Sequence, residues 1–263
     1  MTVGAPRPRS RGGRLAIVVA VIGAIGAGFV FAPPVPQDPA YHNFADTRIW
    51  QGIPRVGDVV SSLAFVLVGL LGIRFVTNMV PADRAQTIPG LVFFFGLVLV
   101  GVASATYHQE PSTDRLFWDR LAMGIPAAAL LAIFVVERID RRAGLALLPL
   151  LLAASAVGAL HWRLTEAAGA GDLRLYAFTQ IAPVVAIILI AALYPGRHRD
   201  GAFVASMVGL YAVGRAFEIF DHEVFAVLGQ AVSGHTLKHL TLAGVAYIVL
   251  VMLRAHRAAA PGR

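Results

Sequence analysis

Eight apolar stretches, each long enough to cross a bilayer, constrain this chain more than any other feature. They run Leu15–Phe31, Val59–Met79, Ile88–His108, Phe117–Val136, Gly144–His161, Leu173–Tyr194, Ala202–Phe220 and His235–Leu253. About 20 helical residues cross the hydrocarbon core. Lipid offers no partner to an exposed backbone amide, so such runs fold as helices. The fifth is the weakest because Pro149 interrupts it, yet Leu145 to Leu160 holds no charge. The expected fold class is an all-α membrane protein: a seven-helix core (58–254) preceded by one extra helix. A basic tail and anchor occupy 1–33, a loop 34–57 and a second tail 255–263.

Composition agrees: 57% of the 263 residues are hydrophobic and 14% charged. The net charge of +7 has no polar domain to occupy. It is read as topology charge, which leaves no footprint for nucleic acid, and nothing in the sequence points to a protein partner. With no cysteine, thiolate metal sites and disulfides are excluded. The first stretch follows Arg7, Arg9, Arg11 and Arg14 as a signal peptide would. Pro33 and Pro34 after Ala32 spoil a cleavage site, so it is read as an uncleaved anchor. The loop from Tyr41 to Asp58 mixes aromatic and charged residues and is read as an interfacial cap on the bundle.

Connections numbered alternately from the N-terminus, with Arg74 and Arg174 near the stretch ends counted to the adjoining connection, carry 14 arginines in the odd set and 5 in the even set. That bias places both termini in the cytoplasm. The third helix then runs outward to His108, while the fourth and eighth run inward from Asp119 and His235. These residues meet at one non-cytoplasmic face.

Ionisable groups inside a membrane are costly and mark functional sites. His235 and His239, four apart, share a helix face, the spacing by which helical histidines grip one zinc ion. His108 offers a third nitrogen. Three protein ligands leave a fourth position for water, whose pKa zinc lowers to about 7. Ser104, one turn from His108, is placed to hydrogen-bond a substrate carbonyl, and Asp119 to move the water's proton to a leaving group. Each residue also has a blander reading. A lone His-x3-His arises by chance, Ser104 can bond back to its own helix, and Asp119 can pair with Arg115 or Arg120. His42, His161, His198, His222 and His256 are read as interfacial side chains. Arg215 and Glu218 are expected to pair beside a solvated helix end at Asp221, with Lys238 on Glu218 or Asp221.

Three short runs, Ser104-Ala105-Thr106-Tyr107-His108, Asp119-Arg120-Leu121 and Gly234-His235-Thr236-Leu237-Lys238-His239, resemble the alkaline ceramidase family. That family belongs to a superfamily of seven-helix membrane hydrolases that includes the adiponectin-receptor relatives. The resemblance covers Val59 to the C-terminus. It implies Zn2+ on His108, His235 and His239, with Ser104 and Asp119 as catalytic helpers. It also implies hydrolysis of a lipid amide to a fatty acid and an amine. Two departures stand out. The stretch Ile53–Ser62 has Arg55 and a single acid, Asp58, so no calcium is expected; and Ala122 follows Asp-Arg-Leu where the family often has proline. The Arg- and Ala-rich composition looks bacterial, which makes ceramide or another N-acyl lipid in the inner membrane the expected substrate. The competing readings are an ion or metal transporter, a ligand-binding receptor, and a retinal protein using Lys238.

Overall fold

A computed structural model describes residues 10–78, 84–196 and 200–259. Arg7, Arg9, Met79, Arg197, His198, Arg199 and Arg263 lie outside the described residues. The chain is an all-α, multi-pass membrane protein. Its spanning helices are α1 (Arg11–Phe31), α2 (Val56–Thr77), α3 (Arg84–Gln109), α4 (Thr113–Arg138), α5 (Arg141–Ala167), α6 (Arg174–Leu193), α7 (Asp200–Ile219) and α9 (Gly234–Ala258). The short α8 (Asp221–Val227) lies between the last two.

Local chemistry sets the ends. Ser112 caps α4 by accepting from Arg115 N (3.3 Å), and Asp140 caps α5 by accepting from Ala143 N (2.8 Å). Pro89, Pro126, Pro149 and Pro183 sit inside helices, as transmembrane segments tolerate. The fifth stretch, interrupted by Pro149, is a 27-residue helix.

The core sits where α2, α3, α4 and α9 converge. Phe94, Ile133, Phe134, Val249 and Leu250 are at most 1% exposed there, so the middle of the bundle is closed and apolar. By contrast, α1 is peripheral. It leans on α6, with Phe29 edge-on to Phe178 (centroids 6.0 Å), and Val18 is its buried residue.

The loop before α2 is ordered at one end of the bundle. It contains a 3-10 turn (Pro39–His42) and a two-stranded hairpin, β1 (Ile49–Trp50) with β2 (Ile53–Pro54). Gln51 (φ 48°) and Gly52 (φ 80°) make the left-handed turn that matches strand twist. Ile49 and Trp50 project outward, as interface anchors do.

Arg174 ties α1 to the start of α6. It donates to the carbonyl of Ala32 (2.5 Å) and pairs with Asp172 (2.8 Å). That guanidinium holds the Asp172 carboxyl well below the usual carboxylate range, against a smaller opposing effect of burial. A carboxyl lowered on folding contributes stability that is present above its unfolded pKa of about 4 and is lost as pH falls through the folded value. Melting of the detergent-solubilised protein is therefore expected to drop in acid below about pH 4. Asp172→Asn should start less stable and lose less over the same range. An acid profile unchanged by that substitution would refute the linkage.

Candidate metal centre

The sequence places His235 and His239 one turn apart at the start of α9, and the local fold fixes that start. Ser233 caps the helix by accepting from Thr236 N (2.9 Å). Gly234 follows because a Cβ there would meet the carbonyl of Phe217 at 2.2 Å and Asp221 Cα at 2.7 Å. That close approach brings the α7–α8 junction against α9, where Asp221 accepts from the His235 backbone N–H (2.7 Å) and from Ala45 N (2.9 Å).

His108, at the end of α3, meets both histidines. The ring centroids lie 4.6 Å (His108–His235), 5.0 Å (His108–His239) and 4.7 Å (His235–His239) apart. One nitrogen from each ring lies within 4.8 Å of the others, and all three residues are buried. A metal ion can be held there.

The surroundings of His239 settle which nitrogen faces the group. Its Nδ1 lies 3.2 Å from the Asp58 carbonyl, which can only accept, and 2.9 Å from Ser61 Oγ. Nδ1 therefore carries the proton, and the Nε2 lone pair is left for a metal. Ser62 Oγ donates to the Asp58 carbonyl (2.8 Å) and approaches Ser104 Oγ (3.1 Å), and Ser104 Oγ lies 3.4 Å from His239 Nε2. Ser104 is thus engaged across helices and touches the histidine cluster. His108 Nδ1 is buried and without a hydrogen-bond partner, as suits a nitrogen available for ligation.

Asp58 anchors this arrangement. It is fully buried, and its carboxylate accepts from Ser233 Oγ (2.7 Å) and Thr236 Oγ1 (2.8 Å). Phe44 closes the loop side, edge-on to His108 (4.5 Å) and His235 (4.7 Å). Near it Asp46 binds Arg48 (2.7 Å) and Gly57 N (2.9 Å). Burial alone would raise the Asp46 carboxyl, but Arg48 and that amide outweigh it and hold the group below its ordinary value.

Asp119 lies on α4, buried, and its carboxylate falls outside the 4.8 Å group of imidazoles. It feels the charges of Lys238 and Arg120. The expected partners are engaged elsewhere: Arg115 reaches Glu110 (2.6 Å), and Arg120 donates to Gln37 (2.6 Å). Lys238 pairs with Glu218 (2.6 Å), and Arg215 pairs with the same carboxylate.

Several readings need correction. Asp221 itself is buried and caps a backbone N–H, while His222 and Glu223 beside it at that helix end are exposed. His42 bonds Tyr107 Oη (2.9 Å) and the exposed His222 the Asn43 carbonyl (3.0 Å), so these two end-of-bundle side chains also join the loop to the bundle. His256 is buried rather than interfacial, because α9 continues to Ala258. Its ring lies 2.9 Å from Glu137 and 2.6 Å from Asp200, and Arg138 pairs with Asp200 at 2.9 Å. Glu137, Asp200 and His256 form a second group able to hold a metal. At 1.5 Å per residue it lies about 25 Å along α9 from His239. Reasoning from sequence missed Asp58, Ser61 and Ser62, although their i, i+3, i+4 spacing marks one helix face.

Neither a scan against protein-family models nor a search of curated proteins finds a match for this chain.

Partners of metal-binding histidines typically contribute 10- to 100-fold in affinity. Ser61→Ala should therefore weaken metal binding about tenfold by competition with a chelator, and His108→Ala should abolish it. Undiminished affinity in Ser61→Ala would show that Asp58 alone orients the ring.

Proposed function

We propose that this protein is a zinc-dependent amidase of the membrane, hydrolysing the N-acyl bond of ceramide or a related amide lipid. The observation that carries the reading is the convergence of three buried imidazoles, with His239 Nδ1 against the Asp58 carbonyl and its Nε2 beside Ser104. An all-imidazole set with no thiolate suits zinc, and three ligands are the pattern of a site that keeps a position open for chemistry. A zinc ion held there supplies Lewis acidity, to a carbonyl oxygen and to water.

The chain's own groups supply the rest. Ser104 Oγ donates a hydrogen bond to the amide oxygen as negative charge develops on it. Asp119 takes a proton from the attacking water and returns it to the amine nitrogen. The water oxygen bonds to the carbonyl carbon, the carbon–nitrogen bond breaks, and a fatty acid and an amine leave. Phe44, edge-on to two of the rings, keeps bulk water from the loop side. The motif resemblance to alkaline ceramidases supports the same chemistry. We place the protein in a bacterial inner membrane, with both termini cytoplasmic and the site at the outer face, on the arginine asymmetry.

A transporter would need a polar path between the two ends, and the apolar middle of the bundle argues against one. A retinal pigment would need a free Lys238, which is paired with Glu218.

Purified wild type is expected to hold about one zinc per chain at this centre, judged by the amount lost in His239→Ala, and to release fatty acid from ceramide-type lipids. Asp119→Asn should keep the metal and lose turnover by a factor of about 100 or more. Full activity in His239→Ala would end the metal mechanism. Loss of zinc in Asp119→Asn would make that residue a support for the site.

A further inference from the structure

Beside Asp119, two buried donors have no acceptor. Arg120 is 6% exposed and sits in an aromatic cage, its Cζ 4.1 Å from the Trp162 ring centre, 5.0 Å from Tyr176 and 5.3 Å from Tyr41. Nη2 donates to Gln37, while Nη1 is buried and unpartnered. Trp162 is fully buried, and its Nε1 is unpartnered too. A buried donor without an acceptor costs stability, more so when charged, so two of them side by side point to an acceptor brought by a ligand.

The charges nearby say what kind. Among the described residues, Arg55 donates to the carbonyls of His108 (3.2 Å) and Gln109 (3.4 Å), and Arg120 to an amide oxygen. Both guanidinium groups thus meet neutral acceptors. Lys238 is matched by Glu218. Arg120 Nη1 thus has no carboxylate hydrogen-bonded to it, and Asp119 acts on it only through its charge.

The same two helices provide room for a chain. Deeper along α4 and α5 lies a cleft of about 370 Å3 lined by Leu121, Gly124, Ile125, Leu152, Ser155 and Ala156. A Cβ on Gly124 would meet Ser155 Oγ, so the helices approach closely behind the cleft. Ala156 is exposed on the lipid-facing side. Seven residues, or about 10 Å of helix, separate Ser155 from Trp162. A lipid with its headgroup at Arg120 would lay its chain into this cleft.

We propose that the lipid received here carries an anionic oxyanion headgroup, a carboxylate or a phosphate. Arg120 Nη1 and Trp162 Nε1 hold that headgroup, and the α4–α5 cleft takes its chain. The lipid's role as substrate rests on the hydrolase reading; its binding does not.

The test separates the two. Binding of N-palmitoylglycine, ceramide 1-phosphate and ceramide is measured on the full chain carrying His239→Ala, in detergent micelles. At least one anionic lipid should bind tenfold or more tightly than ceramide, and the carboxylate and phosphate probes identify which oxyanion is preferred. Adding Trp162→Phe, which keeps the ring over Arg120 but removes one donor, should cut that preference about tenfold. Ala156→Phe, which fills the cleft from the lipid side, should weaken all three lipids alike. In the protein with its histidines intact, Trp162→Phe should lower the ratio of kcat/KM for the anionic over the neutral amide. Equal binding of anionic and neutral lipids, or a preference untouched by Trp162→Phe, overturns the headgroup site. Anionic preference without hydrolysis of any amide lipid supports the headgroup site and removes the hydrolase reading.

Discussion

The site depends on one buried carboxylate. Asp58 draws the first turn of α9 onto the first turn of α2 through Ser233 and Thr236, and its own carbonyl receives His239 Nδ1. In a bilayer, helices gain no hydrophobic driving force from one another, so interhelical hydrogen bonds and close contacts have to register them. Here one residue registers two helices through its side chain and sets a tautomer through its main chain. Moving Asp58 by one turn would separate the histidines from the serines that orient them.

Where one helix face carries the information, the sequence was readable. His235/His239 and Ser104/His108 are four apart, and four apart means one face. The short span with Pro149 is a full helix, because length and the absence of charge outweigh one proline in lipid. Other features needed the tertiary structure. Phe44 reaches the rings only because a loop of irregular backbone folds back, which no periodicity reveals. The seven-residue α8 is too short to leave a pattern. His256 reads as interfacial from hydropathy because the apolar run stops at Leu253, five residues before the helix ends at Ala258. Asp58, Ser61 and Ser62 obey the same spacing logic as the histidines, but one acid beside two serines has no metal-ligand pattern of its own.

The two ends of the bundle use ionisable groups differently. At one end, three imidazoles face one another, while Asp58 and Asp221 accept from serine, threonine and backbone N–H groups. At the other, His256 lies between Glu137 and Asp200 with Arg138 alongside, so charges meet directly. The first arrangement keeps lone pairs available. The second joins the ends of α4, α7 and α9 through ion pairs. The apolar middle, with Phe94, Phe134 and Leu250, keeps the two independent.

The peripheral position of α1 has a consequence in time. Its main neighbour is α6, whose first residue, Arg174, comes about 140 residues after Phe31. At synthesis rates of about 5–20 residues per second, the nascent chain carries α1 for roughly 7–28 s before that neighbour exists. Through that interval α1 has to be stable in lipid by itself. Its uninterrupted apolar surface, with Val18 as its buried residue, is what such a solitary wait demands.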